Sequence, residues 1–245
     1  MSLIKRKEKP VIKELYSVLH ENAPQNYVAS YKMLASSIEF ITIAQKCKNI
    51  MITSSLANEG KTNCCVNLAL SLSYSGKTVC LVECDLRKPS LHRFIDSKRN
   101  TVGLTHVLKK EVELSSAIRK INNTNMSILL AGMIPPNPTE LLASEKMKEI
   151  ISELETQYDY VIYDTPPAYM ISDAAVLGKN MDAAFMVVKH NETEKKIALK
   201  AKNNLEKVGV KILGAILTSY KDKTSEAYSD YYSYNYSYGE VLDNG

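Results

Sequence analysis

The sequence predicts an α/β domain with a mostly parallel central sheet, helices on both of its faces, and a disordered tail rich in tyrosine. Three observations predict it. Short apolar runs alternate with stretches of helical periodicity between residues 28 and 218. The runs are almost continuously apolar, as strands buried on both faces are, and do not alternate apolar with polar. Beyond Ser219 both periods stop, leaving a low-complexity stretch of Tyr, Ser, Asn and Gly. The chain therefore divides into an N-terminal arm at 1–26, a folded domain at 27–219 and a tail at 220–245.

Each element has a local reason. The arm is polar and interrupted by Pro10 and Pro24, with one short amphipathic stretch. Apolar residues at helical spacing predict a helix over 28–40. A strand follows at 49–54, then a helix over 61–75 that Gly76 closes. Further strands are predicted at 78–83, 127–130, 160–163, 183–188 and 212–218. Helical runs at 146–157, 173–178 and 193–208 separate the later ones. No internal repeat is visible.

Composition excludes several classes. At 245 residues the chain buries a full core as one large domain. Its 45% apolar and 24% charged residues are those of an ordinary soluble globule. A net charge of +4 gives no basis for nucleic-acid binding. No run reaches the roughly 20 apolar residues that span a bilayer. The Lys-rich start at 5–9 lacks the apolar segment of a secretory signal, and reads as a solvated terminus. The cysteines at 47, 64, 65, 80 and 84 show no paired metal spacing, so we expect reduced core thiols in a cytosol.

The chemistry concentrates at strand ends. Ser55-Leu56-Ala57-Asn58-Glu59-Gly60-Lys61-Thr62 follows a predicted strand and opens a predicted helix, with Asn63 next in the first helical turn. Backbone N–H groups in such a turn, with the helix N-terminus, form an anion hole for phosphates. Lys61 would reach the β- and γ-phosphates and Thr62 would place a hydroxyl on Mg²⁺. Ser55 stands where the usual pattern has its first Gly; Asn58, where Gly is common, tolerates positive φ. Two acidic segments end later strands: Glu83-Cys84-Asp85-Leu86-Arg87-Lys88 and Asp164-Thr165-Pro166-Pro167. Carboxyl ends of sheet strands are where open α/β sheets bind ligands. Asp85 and Asp164 suffice as Mg²⁺ ligands or water-holders, because that ion takes few protein carboxylates. Taken alone, each acid reads equally well as a helix N-cap, and Arg87 and Lys88 read equally as phosphate or subunit contacts and as solvated loop charge.

Together these segments resemble the bacterial tyrosine kinases of capsule and exopolysaccharide synthesis, in the version whose membrane activator is a separate protein. The resemblance runs from about residue 27 to the tail. It rests on a modified Walker A loop at 55–62, a Walker A′ strand ending at 83–87, a Walker B strand at 161–164, the Pro-rich segment 131–142 and the tyrosine cluster. It implies a P-loop NTPase fold shared with partitioning-type ATPases, ATP and Mg²⁺ as cofactors, and Lys61, Glu83, Asp85 and Asp164 as catalytic residues. Position 83 is implied to position or deprotonate the incoming tyrosine; the family has Asp there, and this chain has a Glu one methylene longer. The acceptors would be Tyr228, Tyr231, Tyr232, Tyr234, Tyr236 and Tyr238.

The resemblance further implies a transmembrane activator that acts as a chain-length regulator, a tyrosine phosphatase, and self-association. The chain would be cytoplasmic, recruited to the inner face of the membrane. In the family an early helix with a Glu-x-x-Arg-x-x-Arg pattern packs neighbours into a ring; here those positions read Ala29, Lys32 and Ala35. Two other readings share the nucleotide site: a partitioning-type ATPase switch, and a non-catalytic nucleotide-binding regulator of a polysaccharide machine. The ATPase reading leaves the tyrosines unexplained.

Overall fold

The computed structural model describes residues 18–20, 23–95, 101–170 and 172–220. The tyrosine cluster at 228–238 lies outside them. In order come α1 (Gln25–Ile43), β1 (Asn49–Ser54), α2 (Lys61–Tyr74), β2 (Val79–Glu83), α3 (Leu104–Leu108), α4 (Leu114–Ala117), β3 (Arg119–Lys120) and β4 (Met126–Leu129). Then follow α5 (Pro138–Leu142), α6 (Glu145–Gln157), β5 (Tyr160–Asp164), α7 (Asp173–Gly178), β6 (Ala183–Lys189), α8 (Lys195–Glu206) and β7 (Ile212–Thr218).

The strands form one sheet in the order β3-β4-β2-β5-β1-β6-β7. Every pairing is parallel except that of β3 with β4. Strands β1, β2, β4 and β5 are buried along their whole length, which explains their unbroken apolar sequences. Successive side chains of β1 enter opposite cores: Ile50 and Ile52 pack with α1 and α2, whereas Met51 packs on the face that carries α6 and α7.

The helices follow from their own patterns. Helix α2 is apolar nearly all round and is almost wholly buried, so its small Cys, Ala and Ser residues lie close to the sheet. Helix α6 buries Met147, Ile150, Ile151 and Leu154 at i, i+3, i+4 and i+7, and Ser144 caps its start by accepting from the Met147 amide at 3.3 Å. Helix α1 runs three residues further at each end than its apolar pattern predicts. Ahead of it, buried Val18 and Leu19 pack on the α2 side, and Leu19 N donates to Asn67 Oδ1 at 2.7 Å. Ala35 of α1 is buried in the intramolecular core.

The topology fixes the site. β2 and β6 lie on opposite sides of β1, the reversal at which open sheets leave a crevice beyond their carboxyl ends. The register sets Glu83 beside Asp164, and Asp164 beside Ile52, two residues before the loop that leaves β1.

Candidate functional site

The loop from Ser55 to Gly60 joins β1 to α2 as the sequence predicts. It needs two left-handed residues: Asn58 has φ 66° and Gly60 φ 86°. Asn is among the few side chains that tolerate this region, which explains its presence there. Gly60 is the N-cap of α2 and supplies no side chain to its first amides, so these N–H groups are left to a ligand. A Cβ on Gly60 would lie 3.6 Å from the Thr218 side chain, so the loop packs closely against the end of β7.

Glu59 holds this shape from within. Its Oε2 accepts from Ser55 N at 2.7 Å and Leu56 N at 3.0 Å, and its Oε1 accepts from Thr193 Oγ1 at 2.5 Å. Thr218 Oγ1 donates to the Glu59 carbonyl at 2.7 Å. The loop is thereby tied to the ends of β6 and β7 before any ligand arrives. Leu56 is half-buried, Ala57 and Asn58 are exposed, and Asn63 takes the Tyr27 and Tyr31 hydroxyls at 3.3 and 3.2 Å. The sequence offered Glu59 only as a loop position; its partners lie 134 and 159 residues away.

Lys61 and Asp164 form a buried ion pair. Burial is the largest single influence on the Lys61 pKa and pulls it down, but the charge and hydrogen bond of Asp164, with Cys65 and Asp85, together outweigh it and the net direction is up, so the ammonium stays charged. Thr62 Oγ1 donates to Asp164 Oδ2 at 2.7 Å, and Ser90 Oγ donates to Thr62 Oγ1 at 3.1 Å. Asp85 is half-buried; its Oδ1 accepts from Lys88 N at 2.9 Å, and its charge adds to the rise at Lys61. Lys61, Thr62, Asp85 and Asp164 thus gather around one point at the strand ends. The buried Ser55 Oγ has no hydrogen-bond partner among the described residues, an orphan facing the same loop. A lysine, an uncapped helix start, a hydroxyl and two carboxylates fit a nucleoside phosphate with Mg²⁺.

Glu83 is next to Asp164 in the register, but its carboxylate is turned to backbone amides. The residue is 1% exposed. Oε1 accepts from Ser90 N at 2.5 Å and Leu91 N at 2.6 Å, and Oε2 accepts from Ala131 N at 3.0 Å. Burial pushes its pKa up to about 7, against those amide bonds, which pull it down.

Arg87 is not solvated loop charge. Its Nε and Nη2 fork onto Asp173 at 2.7 and 3.0 Å, and Nη2 also donates to Thr139 Oγ1 at 3.0 Å. Thr139 in turn donates to Asp173 at 2.5 Å. Asp173, which is fully buried, and Thr139 escaped the sequence reading; the one signal was an acid in the first turn of a predicted helix. Lys88 is exposed. The Pro-rich segment 131–142 therefore grips the 83–91 loop twice, through Ala131 and through Thr139.

A P-loop nucleotide-binding α/β domain is the class that this fold and site define. The family model described as an AAA domain matches residues 47–192. The chain is 40% identical over 203 residues to "Tyrosine-protein kinase YwqD" of Bacillus subtilis (strain 168), covering 82% of this chain and 84% of that protein. Among solved structures, the kinase domain of Escherichia coli tyrosine kinase ETK superposes with a TM-score of 0.81 at 28% identity, over 90% of this chain and 85% of that one. The septum site-determining protein MinD of Pyrococcus horikoshii OT3, solved with Mg-ADP, gives 0.60 at 26% identity over 69% of each chain. The chain belongs to the bacterial tyrosine-protein kinases. Among the described residues, no helix is long and apolar enough to cross a membrane.

Proposed function

We propose that the chain is an ATP-dependent protein-tyrosine autokinase that phosphorylates its own C-terminal cluster, in trans between copies. The observation that carries this reading is the convergence of Lys61, Thr62, Asp85 and Asp164 beyond the strand ends, in a chain 40% identical to a tyrosine-protein kinase. The loop amides from Ser55 to Thr62 and the Lys61 ammonium hold the phosphates. Thr62, Asp85 and Asp164 hold Mg²⁺ and its waters; the ion would neutralise charge on the β- and γ-phosphate oxygens. Lys61 and Asp164, paired with each other, would turn to the phosphates and to Mg²⁺ respectively.

The acceptors are Tyr228, Tyr231, Tyr232, Tyr234, Tyr236 and Tyr238. β7, the last described strand before them, ends against the phosphate loop through Thr218. Each phosphotyrosine adds about −1.5 to −2 charges, so modified tails repel one another and loosen an assembly of copies. The rest of the cycle follows: a membrane-spanning activator recruits the chain to the inner face of the membrane, a tyrosine phosphatase resets it, and capsule or exopolysaccharide synthesis is regulated.

The test is incubation with ATP and Mg²⁺, with and without the activator's cytoplasmic segment, beside Lys61→Met and Asp164→Asn. Phosphotyrosine in the wild type and in neither variant is the expected result. The likeness to MinD supports one other reading, an ATPase switch. Release of ADP and inorganic phosphate with no phosphotyrosine would select that reading instead.

A further inference from the structure

We infer that Glu83 is a positioning residue that folds the 84–91 loop over the metal-binding hydroxyl, and is not the base that accepts the tyrosine proton. The inference rests on the nucleotide-site reading above. A general base must come within about 2.6–3.2 Å of the proton that it removes. Glu83 is buried at the end of β2, between β4 and β5. Both of its oxygens are committed to backbone amides: Ser90 and Leu91 on Oε1, Ala131 on Oε2. Turning it outward would orphan three donors, and one unmet buried donor alone disfavours such a state by roughly tenfold or more.

Those amides are not scattered. Ser90 and Leu91 begin the short 3₁₀ turn Leu91–Arg93 that closes the loop after β2. The carboxylate therefore draws the far end of the loop back to the strand end from which it left. That return carries the Ser90 hydroxyl to 3.1 Å from Thr62 Oγ1, itself 2.7 Å from Asp164 Oδ2. Asp85, inside the same loop, is held by its own bond from Lys88 N. Ala131 opens the Pro-rich segment, so the same side chain joins that segment to the loop that carries Asp85. The extra methylene of Glu over Asp gives it the reach to span from β2 to both loops. Its length, which looks like a handicap in a base, is what the anchor requires.

The experiment compares full-length wild type, Glu83→Asp and Glu83→Gln in three readouts. The first is amide hydrogen exchange at Ser90, Leu91 and Ala131 without nucleotide. The second is Mg-ADP affinity by calorimetry. The third is kcat and KM for ATP in tail phosphorylation with the activator segment. We expect both variants to lose protection at the three amides by tenfold or more and to bind Mg-ADP about tenfold more weakly. KM should rise in step while kcat falls less than tenfold. A base would behave otherwise: Glu83→Asp would keep or raise kcat, and Glu83→Gln would lose 100-fold or more of kcat at unchanged Mg-ADP affinity. That pattern would overturn the inference, as would unchanged exchange in Glu83→Asp. If Glu83→Gln does not fold, the Asp variant decides alone. If the wild type makes no phosphotyrosine, the kinase reading fails, and exchange and Mg-ADP affinity still decide the role of Glu83.

Discussion

Arg87 and Asp173 show how one side chain holds a site that it does not enter. The guanidinium forks onto a carboxylate with no solvent exposure, and Thr139 completes the cluster. Removing the arginine leaves a buried charge without its partner. Because the arginine is partly solvent-screened and Thr139 still donates to Asp173, Arg87→Ala should lower stability by roughly 1–2 kcal/mol. Arg87→Lys should recover only part of it, because an ammonium cannot supply the fork. Midpoints of urea unfolding for the three proteins check this order. Gly60 supports a second prediction. Its φ of 86° penalises any Cβ, so Gly60→Ala should cost about 1–2 kcal/mol in the same assay and weaken Mg-ADP binding besides. What was legible at this scale was what is contiguous in the chain: the left-handed tolerance of Asn58 and the order Gly60, Lys61, Thr62 could be read directly. The partners of Arg87 are 52 and 86 residues away, and no local pattern announces them. Glu83 was read as an acid at a strand end and, through the resemblance, as the group that positions or deprotonates the tyrosine; only the fold shows that its oxygens are already taken.

Among the elements, strands and long helices were legible because burial on two faces or one stripe leaves a period in the sequence. The two-residue β3 and the short helices α3, α4 and α5 leave none, and were not foreseen. They owe their positions to tertiary contacts. Gly103, just before α3, is the clearest case. A Cβ there would sit 2.2 Å from the Leu130 carbonyl oxygen and 2.6 Å from Gly132 N, backbone atoms that cannot swing aside. Gly103→Ala should thus destabilise the protein by roughly 1–3 kcal/mol and, by shifting Ala131, weaken Mg-ADP binding; thermal melts and calorimetry read the two effects. At the opposite end of the sheet, Asp159 accepts from Thr78 N and Oγ1, both at 2.8 Å, where β2 and β5 begin. The backbone bond first, then the hydroxyl, hold its pKa below 3.8. A depressed carboxyl pKa stabilises the fold above the unfolded value, and that stabilisation is lost as pH falls through the folded one. Asp159→Asn should therefore be less stable than wild type near neutral pH, with the gap closing below about pH 4 in a pH series of unfolding midpoints.

At the scale of the whole molecule, the parallel sheet and its reversal around β1 explain why segments far apart in the sequence meet at one edge. The sequence reading reached this architecture, since alternating strand and helix periods admit few alternatives. It did not reach the clamps, Glu59 to Thr193 after β6 and to Thr218 of β7, Glu83 to Ala131, and Arg87 to Asp173, which turn a shared architecture into a particular site. The end of β7 packs against the phosphate loop through Thr218, and the tyrosine-rich sequence follows it in the chain. Phosphate mapping by mass spectrometry, after incubation with ATP, Mg²⁺ and the activator's cytoplasmic segment, tests the central claim most directly. The account predicts phosphate on tyrosines within residues 228–238 of the wild type and none in Lys61→Met. ATP consumed with those tyrosines left bare would contradict it.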